Sequence, residues 1–235
     1  MLLILTWAAG CVDAISYLGL GHVFTAMMTG NTVLLGLALA QGEILAALRS
    51  IVALIGFAAG VAAGAMIVER DDKDRRWPRA VTKALALEAV FLAVFVLTWH
   101  FAGNSRGAAA VYFLIVLLSL AMGLQAAAVR RLGVPGIATT YITGTMTSLM
   151  VDLVGWIRSA ASPPRPAGIE GNKNNESSGV PWEQRVGLLA GVFFLYGFGA
   201  LAGGVLYTRA PMLAALSPLI AVGAVVMNAS VRYRR

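Results

Sequence analysis

The chain has 235 residues, 59% of them hydrophobic and only 12% charged, with a mean hydropathy of +0.79 and a net charge of +7. A soluble domain carries about 25% charged residues, so most of this surface faces something other than water, and the composition is that of a multi-spanning membrane protein. The single cysteine, Cys11, excludes an internal disulfide framework, and two histidines are too few for most zinc or haem sites.

Eight apolar segments follow in order, at 2–20, 23–40, 44–68, 80–101, 108–129, 134–157, 185–207 and 211–230. Each approaches the roughly 20 residues that a helix needs to cross a bilayer. The first lacks a basic leader and a small-residue cleavage site, and reads as a retained span rather than a signal peptide. The stretch 69–79 is a dense charge run. The stretch 158–184 is rich in Pro, Asn, Ser and Gly, has almost nothing apolar to bury, and reads as a disordered polar linker. Neither is a folded soluble domain.

The chain also repeats itself. Leu18, Gly19, Thr25, Thr29, Gly30, Leu35 and Leu39 fall on Leu132, Gly133, Thr139, Thr143, Gly144, Leu149 and Leu153 under one constant displacement. Downstream, Gly56, Gly60 and Gly64 resemble Gly199 and Gly203 in their small-xxx-small spacing. Internal duplication is a mark of transporter architecture. It divides the chain into a first half, 1–107, and a second half, 108–235, which contains the linker.

Charge constrains how many segments cross. It requires that 134–157 not cross but leaves 23–40 open, so seven spans with an outside N-terminus score as well as six. The repeat, in which both segments behave alike, favours six. With eight crossings the 18 Lys and Arg divide evenly between the two sides. If 23–40 and 134–157 are broken or re-entrant, six spans remain. All but Arg49, Arg106 and Arg209 then collect on the side that holds both termini, as the positive-inside rule expects of the cytoplasm. Three spans per half give the halves opposite orientations, an inverted repeat. The expected fold is therefore an all-α membrane helix bundle of six full spans plus two broken or re-entrant segments.

Acids inside apolar spans are costly, and they mark candidate sites. Asp13 lies two-thirds along the first segment and Glu88 near the middle of the fourth, both close to the midplane, where they would coordinate an ion or relay a proton. Asp152 lies nearer the end of its segment and is a weaker candidate. The second constellation is Thr29-Gly30-Asn31-Thr32 with its counterpart Thr143-Gly144-Thr145. Gly permits a helix to break, and Thr and Asn satisfy the freed backbone groups. A half-helix that starts there would point its positive end into the membrane, where transporters hold anionic groups. Gln125, an amide within the fifth segment, would orient a substrate or bond across helices. No Walker, HExxH, CxxC or GxSxG signature is present. The chain is expected to be neither an enzyme nor a metal or cofactor protein.

At these residues a resemblance emerges. Gly10-Cys11-Val12-Asp13-Ala14-Ile15-Ser16-Tyr17-Leu18, Met28-Thr29-Gly30-Asn31-Thr32-Val33, Gly123-Leu124-Gln125 and Ile142-Thr143-Gly144-Thr145 are similar to the YoaK-like family. These are multi-pass bacterial inner-membrane proteins whose shared domain has no established function. The resemblance covers nearly the whole chain. It implies a bacterial plasma membrane and supplies neither activity nor substrate. Ala126 departs from the pattern, which often has a polar residue after the glutamine.

The reading is a secondary transporter or channel for a small solute. Asp13 and Glu88 couple to a proton or cation, and the Thr-Gly tips line the site. The alternative is a non-transporting assembly, lipid-binding or sensor protein that uses its basic face. The expected partners are the lipid bilayer, a small solute with its coupling proton or cation, and a second copy of the chain in a homo-oligomer, with no nucleic acid.

Overall fold

The computed structural model describes residues 1–69, 77–103, 107–132, 142–161 and 182–233. Every regular element within them is a helix: α1 (Leu2–Gly19), α2 (Met28–Gln41), α3 (Ile44–Val68), α4 (Arg79–Ala102), α5 (Ala108–Arg131), α6 (Ile142–Ala161), α7 (Trp182–Arg209) and α8 (Pro211–Arg232). Six of these, α1, α3, α4, α5, α7 and α8, are long and apolar enough to span a membrane. Their outward faces carry large exposed apolar side chains such as Leu48, Ile55, Leu97, Phe194 and Ile220. In water such surface would be untenable, whereas lipid accepts it.

Helix directions follow from close approaches. Methyl groups on Gly10 and Gly203 would strike α7 at Tyr196 and α1 at Cys11, so α1 and α7 run parallel. Gly56, Gly60 and Gly64 meet Ser119, Leu120 and Leu124 in the same rising order, so α3 and α5 are also parallel. Gly21, just past α1, lies against Arg49 near the start of α3, which sets α1 and α3 antiparallel. Gly19 meets Trp99 at the far end of α4, and Trp77 before α4 stacks on Tyr233 after α8. Thus α1, α4 and α7 run one way and α3, α5 and α8 the other. The glycines let backbones pack at contact distance, which is how helices associate where lipid offers no hydrophobic drive.

The short helix α2 does not cross. Its 14 residues reach about 21 Å, short of a hydrocarbon core about 30 Å thick. The far end of α2 (Leu37, Ala38, Gln41) shares one pocket with Gly21 and His22 after α1 and with Arg49 and Ser50 of α3. The chain therefore leaves by the end at which it entered. The break falls at 20–27, a few residues before the Thr29-Gly30 pair, which lies in the first turn of α2. On the second side α6 begins at Ile142 and packs on α7, and helix continues to Ala161 and resumes at Trp182. Residues 162–181 of the expected linker, most of the 69–79 charge run, and Gly133 and Thr139 lie outside the described residues.

Candidate functional site

The site grows from the turn between α1 and α2. Gly21 (φ 86°) and His22 (φ 61°) both take the left-handed conformation and reverse the chain. A non-glycine residue rarely adopts it, and here the His22 ring is held edge-on against Tyr17 at 4.9 Å. Tyr17 also stacks on Phe24 at 5.0 Å, so one ring fixes both arms of the turn. The chain then descends alongside α1 to the level of Asp13. That residue lies six positions before the end of α1, or about 9 Å below it.

Irregular backbone at such depth must find its hydrogen bonds within the protein. Asp13 and Asn31 supply most of them. Asp13 Oδ1 accepts the backbone N–H groups of Thr25 (2.9 Å) and Ala26 (2.7 Å). Asn31 meets both backbone groups of Phe24: Oδ1 accepts its N–H at 3.0 Å, and Nδ2 donates to its carbonyl at 2.6 Å. The Leu20 and His22 amides return to Ser16 and Tyr17 carbonyls of α1. The second oxygen of Asp13, Oδ2, accepts the hydroxyl of Tyr196 on α7. Tyr196 reaches it because Gly10, one turn below Asp13, lets its own backbone touch the Tyr196 carbonyl.

Asp13 thus lies beside the N-terminal end of α2, where the helix dipole is positive and an anion is favoured. The anion that fills this end is the protein's own carboxylate. Its surroundings are closely packed: Asp13 is 3% exposed, and Thr25 and Asn31 are fully buried. The Thr25 hydroxyl, beside the carboxylate, has no hydrogen-bond partner among the described residues.

The other candidates are dispersed. Thr29 is exposed and Gly30 half-buried against Phe24 and Met27, so within the Thr-Gly-Asn motif Asn31 does the bonding. Gln125 is buried and joins α5 to α1 by donating from Nε2 to the Leu5 carbonyl at 3.2 Å. Glu88 on α4 is fully buried, and neither of its oxygens has a hydrogen-bond partner among the described residues. Thr143 is exposed, Gly144 half-buried and Thr145 fully buried, one turn into α6. Asp152 pairs with Arg185 at 3.0 Å, tying α6 to α7. Of the sequence candidates, Asp13 and Asn31 therefore meet at one turn, while Glu88, Gln125 and the α6 residues lie on other elements.

Tyr196 was missed. Its signal lay in the glycine ladder, because aligning Gly60 and Gly64 with Gly199 and Gly203 places Tyr196 on Phe57.

The family model described as a protein of unknown function, DUF1275, matches residues 1–229. The chain is also 46% identical over 155 residues to the UPF0700 transmembrane protein YoaK of Bacillus subtilis (strain 168), covering 66% of this chain and 67% of that one. No solved structure matches. The chain belongs to the DUF1275 family and is a multi-pass membrane protein.

Proposed function

We propose that this DUF1275 protein is a secondary transporter or channel-like protein for a small solute in the bacterial inner membrane. It has two inverted halves, and both termini are cytoplasmic. One observation carries the reading: a lone carboxylate, deep in a span, fastens a re-entrant turn of one half to a helix of the other.

The packing supports two related halves. Exchanging α1 with α5, α2 with α6, α3 with α7 and α4 with α8 turns every helix contact into another that is present. The α3–α5 contact becomes α7–α1, α4–α5 becomes α8–α1, α2–α3 becomes α6–α7 and α3–α4 becomes α7–α8, while α4–α8 and α1–α5 map onto themselves. Close approaches pair residue by residue as well. Gly60 against Leu120 matches Gly199 against Trp7, Gly123 against Phe57 matches Gly10 against Tyr196, and Gly64 against Leu124 matches Gly203 against Cys11. Corresponding helices run in opposite directions, so the relation is inverted. Each half grips the other through its first and third helices.

The same pairing places Ala126 and Phe57 where the other half has Asp13 and Tyr196. The Asp13–Tyr196 link therefore has no polar counterpart at the matching position of the other half, and the reading takes one coupling site per chain. Protonating Asp13, or giving it a cation to hold together with the Thr25 hydroxyl, removes the charge that organises 24–26 and frees Tyr196. This loosens the turn from α7. Glu88, buried with no hydrogen-bond partner among the described residues, is a second place for a proton. No enzymatic step is proposed.

A second reading, a non-transporting assembly, lipid-binding or sensor protein, is favoured by the burial around Asp13, whose carboxylate already accepts three hydrogen bonds from the protein. Proteoliposomes with an entrapped pH indicator, screened against pools of small polar solutes, separate the two readings. Transport predicts solute-dependent proton movement that Asp13→Asn abolishes while the protein stays folded. If no solute moves protons or cations and Asp13→Asn only lowers the unfolding temperature, the second reading stands.

A further inference from the structure

Where α4 begins and α8 ends, the two helices leave a groove of about 420 Å³. Arg79 and Lys83 stand on its rim, four residues apart and so on one face of α4, with the hydroxyls of Thr82 and Ser230 beside them. The Trp77 indole donates to Thr82 Oγ1 at 3.0 Å and stacks on Tyr233, ring centroids 5.9 Å apart and planes within 14° of parallel. Both rings line the groove. Further along both helices the walls become apolar, at Ala86 and Val226. No carboxylate is among the described residues that line it.

We propose that this groove binds the phosphate-bearing headgroup of an anionic phospholipid. Two cations and two hydroxyls line the one groove, a donor set that a phosphodiester can take. Tryptophan and tyrosine mark the level of the membrane interface, where lipid headgroups lie. The groove lies at the end of the bundle where the described Lys and Arg concentrate, and basic pockets between helices on that side are the recognised form of an anionic-lipid site. The change from charged rim to apolar floor within two helical turns favours a lipid over free phosphate, because phosphate has no use for an apolar floor. The assignment does not depend on transport, since either reading of the Asp13 turn leaves this end of α4 and α8 unchanged.

Native mass spectrometry of the detergent-solubilised full chain, titrated separately with phosphatidylglycerol and phosphatidylcholine, tests the site. Phosphatidylglycerol is expected to bind more tightly. The double variant Arg79→Gln/Lys83→Gln should weaken it roughly thirtyfold and either single variant about fivefold, with phosphatidylcholine unaffected. Both side chains are exposed, circular dichroism of each variant checks that it stays folded, and Lys83→Arg, which keeps the charge, should retain the lipid. Equal affinity for the two lipids, or full retention by the double variant, overturns the proposal. Inorganic phosphate forms the second arm. If it displaces phosphatidylglycerol from the wild-type chain, the ligand is free phosphate and the lipid assignment falls.

Discussion

At the scale of single residues, the Asp13 turn ranks its own substitutions. Asp13→Ala leaves two buried amides and a tyrosine hydroxyl without their acceptor, and should destabilise by about 3–5 kcal/mol. Tyr196→Phe removes one bond to a charged group and should cost about 1.5–3 kcal/mol. Because the two residues share that bond, the double variant should cost less than the sum, which a double-mutant cycle on detergent-solubilised protein would read. Additive costs would mean that the hydroxyl and the carboxylate do not depend on each other. Glu88→Gln provides the contrast. With no hydrogen-bond partner among the described residues, it should shift stability by under about 1 kcal/mol, so any loss of solute flux in that variant would report function rather than fold. An unfolded Glu88→Gln protein would show instead that the carboxyl supports the structure.

At the scale of elements, the glycines of α7 make opposite predictions two residues apart. A methyl on Gly197 would meet nothing within 4 Å, whereas one on Gly199 would run into the Trp7 carbonyl of α1. Gly197→Ala should therefore be neutral or stabilising by up to about 1 kcal/mol. Gly199→Ala must push α1 away from α7 and should destabilise by about 1–3 kcal/mol. Thermal unfolding of the two variants side by side checks the sign of each, and equal effects would contradict the packing.

These ladders were legible in the sequence because small residues at four-residue spacing have few uses in a membrane other than close approach. Asp13 was legible for a similar reason, as a lone charge in an apolar helix. Its partners were not. Two are backbone amides, which no side chain announces, and the third is one tyrosine among six. The break before α2 was expected at Thr29-Gly30 and lies earlier, because the Asn31 amide clasps the Phe24 backbone and allows α2 to begin at Met28. The direction of α2 rested on charge arithmetic that left the first repeated segment unconstrained. The contact of Gly21 with Arg49 supplies what the loops could not.

At the scale of the molecule, each half is completed by the other: α3 finds its main partner in α5, and α7 in α1. Separately produced halves, 1–107 and 108–235, should therefore be unstable alone and recover when coexpressed, with copurification as the readout. A half that is monodisperse and helical by itself would argue against this interlock. On the proposed reading the Asp13–Tyr196 link makes the first turn, 20–27, the element that switches, and the matching positions Ala126 and Phe57 offer no polar pair.

That 20–41 turns back instead of crossing is tested most directly by membrane-impermeant thiol labelling of cysteines placed singly at His22, Gln41 and Asn174. The native Cys11 is buried and serves as a silent background. His22 and Gln41 should label from the same face of the membrane, and Asn174 only from the opposite one. Labelling of His22 and Gln41 from opposite faces would make α2 a true crossing and undo both the six-span count and the inverted pairing of the halves.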